Sequence, residues 1–160
     1  MKNMKGFTLV ELLAVIVILG IVALVTTPAI LNVINDSREK GAEDKAWGTI
    51  DAVKLAYTQA QYDGYENAAG TGVTVSGDNL VVNFGTSPNP VFGSKTISYS
   101  GDKPTSGTVT INTKTGIIYG LLLKYESNGT YYCTTNANGT KMCCSTNAND
   151  TKVKTNAGCQ

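Results

Sequence analysis

The sequence predicts an α+β protein. A long N-terminal α-helix, apolar in its first half and amphipathic in its second, should pack on a small antiparallel β-sheet with a disulfide-bonded C-terminal region. Three observations predict this. Residues 7–25 form an apolar run whose single charge is Glu11, and apolar residues then recur at three- and four-residue steps as far as Tyr62. From Thr108 onward, short alternating segments are separated by turn residues. All four cysteines, Cys133, Cys143, Cys144 and Cys159, fall in the last 28 of 160 residues.

The run from Phe7 to Val25 is 19 residues long. At about 1.5 Å per residue it matches the roughly 30 Å hydrocarbon core of a bilayer. Lys2 and Lys5 precede it, so the positive-inside rule places the N-terminus in the cytoplasm and everything after Pro28 outside. That compartment permits disulfides. Gly20, Thr26, Thr27 and Pro28 weaken the helix, because proline lacks an amide hydrogen and clashes with the carbonyl four residues back, here Leu24. A kink is expected over residues 24–28.

From Ala29 the run becomes amphipathic, with Ile30, Val33 and Ile34, then Ala46, Trp47, Ile50, Val53, Tyr57 and Ala60 on the face to be buried. Trp47 reads as a core aromatic against the sheet. Asp63 and Gly64 supply the stop, glycine suiting the left-handed cap position. A continuous helix from Phe7 to Tyr62 would be about 84 Å long, far more than the width of a domain this size. Its first half must be buried elsewhere, and copies of itself are the natural partner.

The chain therefore reads as residues 1–6, an apolar helix over 7–28, an amphipathic helix over 29–62, a connecting loop with short strands over 63–107, and an antiparallel sheet with the cysteines over 108–160. TVTIN, GIIYGLLLKY and TYYCTT supply strands, with turns at residues 113–116 and 127–129. The C-terminal part repeats itself: TNANGTKMC begins at Thr135 and TNANDTKVK at Thr146, with a fragment TNAG at Thr155. The period is too short for a solenoid and reads as reused turn chemistry. Asn35, Asn128, Asn138 and Asn149 each begin an N-x-[ST] triplet, as arises readily in an Asn- and Thr-rich chain.

Four cysteines allow three pairings, of which the one joining vicinal Cys143 and Cys144 is strained. If Asn138-Gly139 is a two-residue hairpin turn, Ala137 faces Thr140 and the ladder sets Cys133 opposite Cys144. Cys143 then points to the other face, toward Cys159. Counting from that turn places Cys133 and Cys144 at a hydrogen-bonded pair, with Cα atoms about 5.5 Å apart.

Composition narrows the function classes. Thirteen basic and 12 acidic residues leave a net charge of +1, and Arg38, Lys40 and Lys45 alternate with Glu39, Glu43 and Asp44. This is a solvated helix face and not a nucleic-acid footprint. With no histidine in the chain, the usual general base and commonest metal ligand are missing, and the cysteines lack C-x₂-C spacing. No enzyme, cofactor or metal is expected.

A basic residue, then Gly6, Phe7, Thr8, Leu9 and Glu11 at the head of an apolar helix, in the stretch KGFTLVELL, resembles the class III leader of type IV pilins and their pseudopilin relatives. The short leader is similar to that of type IVa major pilins. The resemblance implies that a membrane-embedded prepilin peptidase cuts between Gly6 and Phe7 and methylates the new Phe7 amine. It further implies that Glu11 neutralises the Phe7 amine of an adjacent subunit, since a charge left unpaired among apolar helices costs several kcal/mol. The helix between Gly20 and Pro28 would unwind in the filament, and the C-terminal region would be closed by a disulfide.

The expected function is a structural subunit that polymerises into a type IV pilus, a helical homopolymer with itself as partner, served by prepilin peptidase and the pilus assembly machinery. It would sit in the cytoplasmic membrane before assembly and in an extracellular filament afterwards. A pseudopilin of a type II secretion or competence machine is the alternative, and a signal-anchored binding domain that does not polymerise is the alternative from another class.

Overall fold

The computed structural model describes residues 6–65, 69–87, 89–127, 129–154 and Cys159. Residues 1–5 of the leader, including Lys2 and Lys5, lie outside the described residues, as do Asn128 and residues 155–158 of the last repeat fragment. The chain divides into two units, one ending at Ser37 and one beginning at Arg38. A single helix, α1 (Leu9–Tyr62), supplies secondary structure to both.

In the first unit every described residue is exposed. The helix is not interrupted over residues 24–28: helical structure continues through Gly20 and Pro28. Pro28 cannot donate to the Leu24 carbonyl, but the preceding turn gains side-chain donors. Thr26 Oγ1 donates to the Val22 carbonyl at 3.0 Å and Thr27 Oγ1 to Ala23 at 2.6 Å.

The second half of α1 ends where the sequence signals it. Gly64 takes φ +86°, open to glycine at little cost. Tyr65 N then donates to Ala60 O at 3.0 Å and Gly64 N to Gln61 O at 3.0 Å, the paired bonds of a Schellman cap. The buried line runs Ala42, Ala46, Ile50, Val53, Tyr57 and Ala60, with Thr49 and Ala56 beside it. Trp47 is only half-buried and packs at the edge of this core. It follows Ala46 by one residue, so its side chain is rotated about 100° from the buried line.

The sheet has six strands in the order β1-β2-β5-β6-β7-β8, all antiparallel. They are β1 (Val73–Ser76), β2 (Asn79–Asn83), β5 (Ser106–Asn112), β6 (Ile118–Tyr125), β7 (Tyr131–Thr135) and β8 (Met142–Ser145). A separate hairpin, β3 (Val91–Phe92) with β4 (Lys95–Thr96), buries Phe92 against Tyr57, ring centroids 5.8 Å apart. Residues 63–107 carry short strands within a connecting segment, as expected. They supply two strands of the main sheet, joined at Gly77-Asp78 with Ser76 opposite Asn79.

Strand β6 changes face along its length. Ser106 pairs with Lys124 and Thr108 with Leu121, so Gly107 opposes both Leu122 and Leu123 in a bulge, and Leu122 takes φ +49°. Gly120 lies beneath Ile50 of α1, while past the bulge Tyr125 reaches Thr49 of the same helix. An even strand would have turned Leu123 and Tyr125 outward. Where β6 parts from β7, Leu122 N and Gly120 N donate to the hydroxyls of Thr134 and Thr135, each at 3.0 Å. These bonds account for two buried threonines.

The Tyr125 and Thr49 hydroxyls share a buried hydrogen bond of 2.7 Å. Burial pushes the phenol pKa of Tyr125 up, with Tyr99 adding to the rise and Thr49 opposing it, and burial does the same to Tyr99. The folded state thus favours both protonated phenols. Their contribution to stability is complete below about pH 10, where an unfolded tyrosine ionises, and is lost as pH rises above it. Alkaline unfolding followed by tyrosinate absorbance should show both phenols ionising with the unfolding transition. Tyr125→Phe should cost about 1 kcal/mol in thermal denaturation at neutral pH.

The β7–β8 hairpin has Cys133 opposite Cys144 and Thr134 opposite Cys143. Its turn is not the two-residue turn expected at Asn138-Gly139. Gly139 N donates to Asn136 O at 3.0 Å, and Asn136 N to Lys141 O at 2.9 Å, leaving a four-residue loop with Gly139 at φ +67°. Thr140 N and Lys141 N go instead to Asn136 Oδ1, at 2.8 and 3.2 Å. Closing on the 136–141 pair reverses the expected parity. Cys133 and Cys144 therefore occupy a non-hydrogen-bonded pair, with Cα atoms 4.1 Å apart and not the wider spacing.

The repeated TNAN segment makes the same turn again, with Asp150 N donating to Asn147 O at 3.1 Å. Asp150 stands where Gly139 stood and has no positive φ, so the chain continues into the single-turn helix α2 (Thr151–Lys154) and not back along a strand.

Candidate processing and assembly site

The N-terminus of α1 is closed by its own side chains. Thr8 precedes the first helical residue, and its carbonyl accepts from Leu12 N at 3.2 Å, the first helical bond. Glu11 Oε2 accepts from both Thr8 N and Thr8 Oγ1, each at 2.8 Å, and Glu11 N donates to Thr8 Oγ1 at 3.3 Å. This reciprocal arrangement is a capping box, in which two backbone amides that the helix cannot satisfy are bonded by side chains. The T-x-x-E spacing is its sequence signature, so beyond its place in the leader motif a capping role for Thr8 is readable in TLVE.

The cap fixes what lies before it. Gly6 and Phe7 are outside the helix, and Phe7 is 87% exposed. Their peptide bond is open to an attacking enzyme. The Phe7 nitrogen is here an uncharged peptide amide, and Glu11 takes both of its side-chain hydrogen bonds from Thr8. Only Oε2 is used, and Oε1 has no partner among the described residues. Gly20 and Pro28 lie on one apolar face with Ala23, Leu24, Thr27 and Leu31, where glycine leaves a shallow notch. Thr8→Val should fray the first turn by about 1 kcal/mol. Faster hydrogen exchange at Leu9 to Glu11 in micelles would show it.

Disulfides join Cys133 to Cys144 and Cys143 to Cys159. All four sulfurs are therefore engaged in disulfides. The bridges lie on opposite faces of the sheet. Cys133 Sγ is 3.6 Å from the Ala42 carbonyl of α1, whereas its neighbour Thr134 turns the other way and donates to the Val153 carbonyl of α2 at 2.7 Å. Cys143 pairs across the hairpin with Thr134, so its bridge to Cys159 lies on the side of α2.

The long helix, its cap and the stapled antiparallel sheet are the architecture expected from the sequence, and α1 is long and apolar enough to cross a membrane. Residues 1–27 match the prokaryotic N-terminal methylation motif, the class III leader of type IV pilins and pseudopilins. The match includes Gly6, Phe7, Thr8, Glu11 and Gly20 and ends one residue before Pro28. Leader and apolar helix together fit a membrane-anchored precursor. No solved structure matches the chain.

Proposed function

We propose that this chain is a structural subunit, not a catalyst, that polymerises through the first half of α1 into a type IV pilus filament. One observation carries the reading: an apolar helix behind a methylation leader, every described residue of it exposed as far as Ser37. Leaving that surface in water is unfavourable by about 25 cal/mol per Å², so it needs lipid before assembly and other helices after it. Prepilin peptidase cuts between Gly6 and Phe7 and methylates the new amine. Glu11 then serves two bonds at once, Oε2 holding the cap of its own helix while Oε1 faces the Phe7 amine of an adjacent copy. In the filament, Gly20 and Pro28 mark the segment that unwinds, where the missing Pro28 amide has already removed one helical bond.

The test is electron microscopy of sheared surface material with mass spectrometry of its N-terminal peptide. Long filaments whose subunits begin at methylated Phe7 are expected, and a bulky residue in place of Gly6 should block the cut. Filaments that retain residues 1–6 would sink the proposal. Short assemblies confined to the cell envelope would identify a pseudopilin, and an intact Met1 a non-polymerising signal-anchored domain.

A further inference from the structure

Trp47, Asp51 and Lys54 stand at i, i+4 and i+7 on α1, one face of the helix, and line one wall of a cleft of about 310 Å³. Two turns form the other walls: residues 115–118 between β5 and β6, and Asn138-Gly139 between β7 and β8. Both turns are held from within. Asn112 Oδ1 accepts from Lys114 N at 3.1 Å and Thr115 N at 2.9 Å, as Asn136 Oδ1 does for the second turn. Gly139 is pressed so closely on β6 that a Cβ there would collide with the Ile118 carbonyl oxygen. The walls are thus set before any ligand arrives.

The fold leaves three polar side chains of this cleft unused, while the Thr115 hydroxyl accepts from Ile117 N at 3.4 Å. Those of Asp51, Lys54 and Asn138 have no hydrogen-bond or ion-pair partner among the described residues. Trp47 packs against the core with part of its ring and lines the cleft with the rest. A carboxylate and an ammonium one turn apart cancel, so the cleft attracts neither a simple cation nor a simple anion. The carboxylate accepts from hydroxyls, the ammonium donates to them, the carboxamide does both, and an indole covers apolar C–H surface. A pyranose ring presents several hydroxyls around such a surface. The volume sits at the small end of ligand sites, enough for one or two rings. We propose that this cleft binds a neutral saccharide.

Trp47 is the one tryptophan in the chain, so tryptophan fluorescence reports on the residue that lines this cleft. The full-length chain in a sugar-free zwitterionic detergent would be titrated with glucose, galactose, N-acetylglucosamine and lactose. At least one should give a saturable change in emission. Asp51→Asn and Lys54→Gln, both at exposed positions that the fold tolerates, should each weaken it by about tenfold or more. No response to any of the four sugars, a response unaltered in both variants, or a response to sodium phosphate alone would overturn the assignment. The measurement uses unpolymerised chains, so its outcome is independent of filament formation.

Discussion

Subunits carrying Glu11→Gln should enter the membrane and be cut after Gly6, yet fail to build filaments. A glutamine at this position keeps the capping box, because its side-chain oxygen still accepts from Thr8 N. Insertion should also hold, since a charge within a membrane helix costs up to the roughly 2.5 to 3.5 kcal/mol found at its centre and the amide carries none. On the proposed assembly, what the variant lacks is a counter-charge for the Phe7 amine of the next copy. A cation buried unpaired among apolar helices costs on the order of 3 to 5 kcal/mol. Repeated at every subunit contact, that cost should prevent growth. Glu11→Ala removes cap and charge together, so comparing the two variants separates the roles. The measurement is the mutant fraction in sheared filaments when variant and native subunits are co-expressed. If Glu11→Gln subunits polymerise alone as abundantly as native ones, Glu11 acts only as a cap.

The second large effect belongs to the disulfides. Replacing Cys133 and Cys144 by alanine opens a loop of 11 residues, and replacing Cys143 and Cys159 opens one of 16. The loop-entropy relation gives roughly 3 kcal/mol for each. Domains are typically stable by only about 5 to 15 kcal/mol, so either loss should lower the melting temperature markedly. The first pair should cost more, because Cys133 and Cys144 are both buried against α1 and their removal also leaves a cavity. Loss of the second pair should act locally, releasing α2 and raising hydrogen exchange around Val153. Membrane insertion should be unaffected, because it depends on residues 7–25. Near-ultraviolet dichroism during heating would follow the unfolding, and a double variant that melts with the native chain would refute the estimate. Non-reducing peptide mapping checks the pairing, which a linked Cys133–Cys143 peptide would contradict.

Much of this was legible because it is local. The end of α1 at Tyr62 follows from Asp63-Gly64, and the strands from TVTIN to TYYCTT follow from alternation between turn residues. The pairing register of the β7–β8 hairpin could be counted from Asn138-Gly139. Its hydrogen-bond parity could not, because that depends on the Asn136 side chain taking two amides that a tighter turn would have left to the backbone. Short strands were expected over residues 63–107, but the place of β1 and β2 in the main sheet was not legible, because it comes from β2 pairing with β5 across the β3–β4 insertion.

The amino-acid order alone determined the apolar span, the methylation motif over residues 1–27, the T-x-x-E cap and the buried line of α1 from Ala46 to Ala60, whereas Ile30, Val33 and Ile34, expected on the same face, are exposed. Each depends on residues within a turn or two of one another, and periods of 3.6 and 2 residues transmit them directly. Only the tertiary structure decided which face β6 presents past Leu122, why Thr134 and Thr135 are buried, and how Trp47, Asp51 and Asn138 come to share a cleft. Those outcomes rest on packing between segments far apart in the chain. There a bulge, a side chain replacing a backbone bond, or a rotation of about 100° about a helix axis is selected by what lies opposite, which periodicity does not encode.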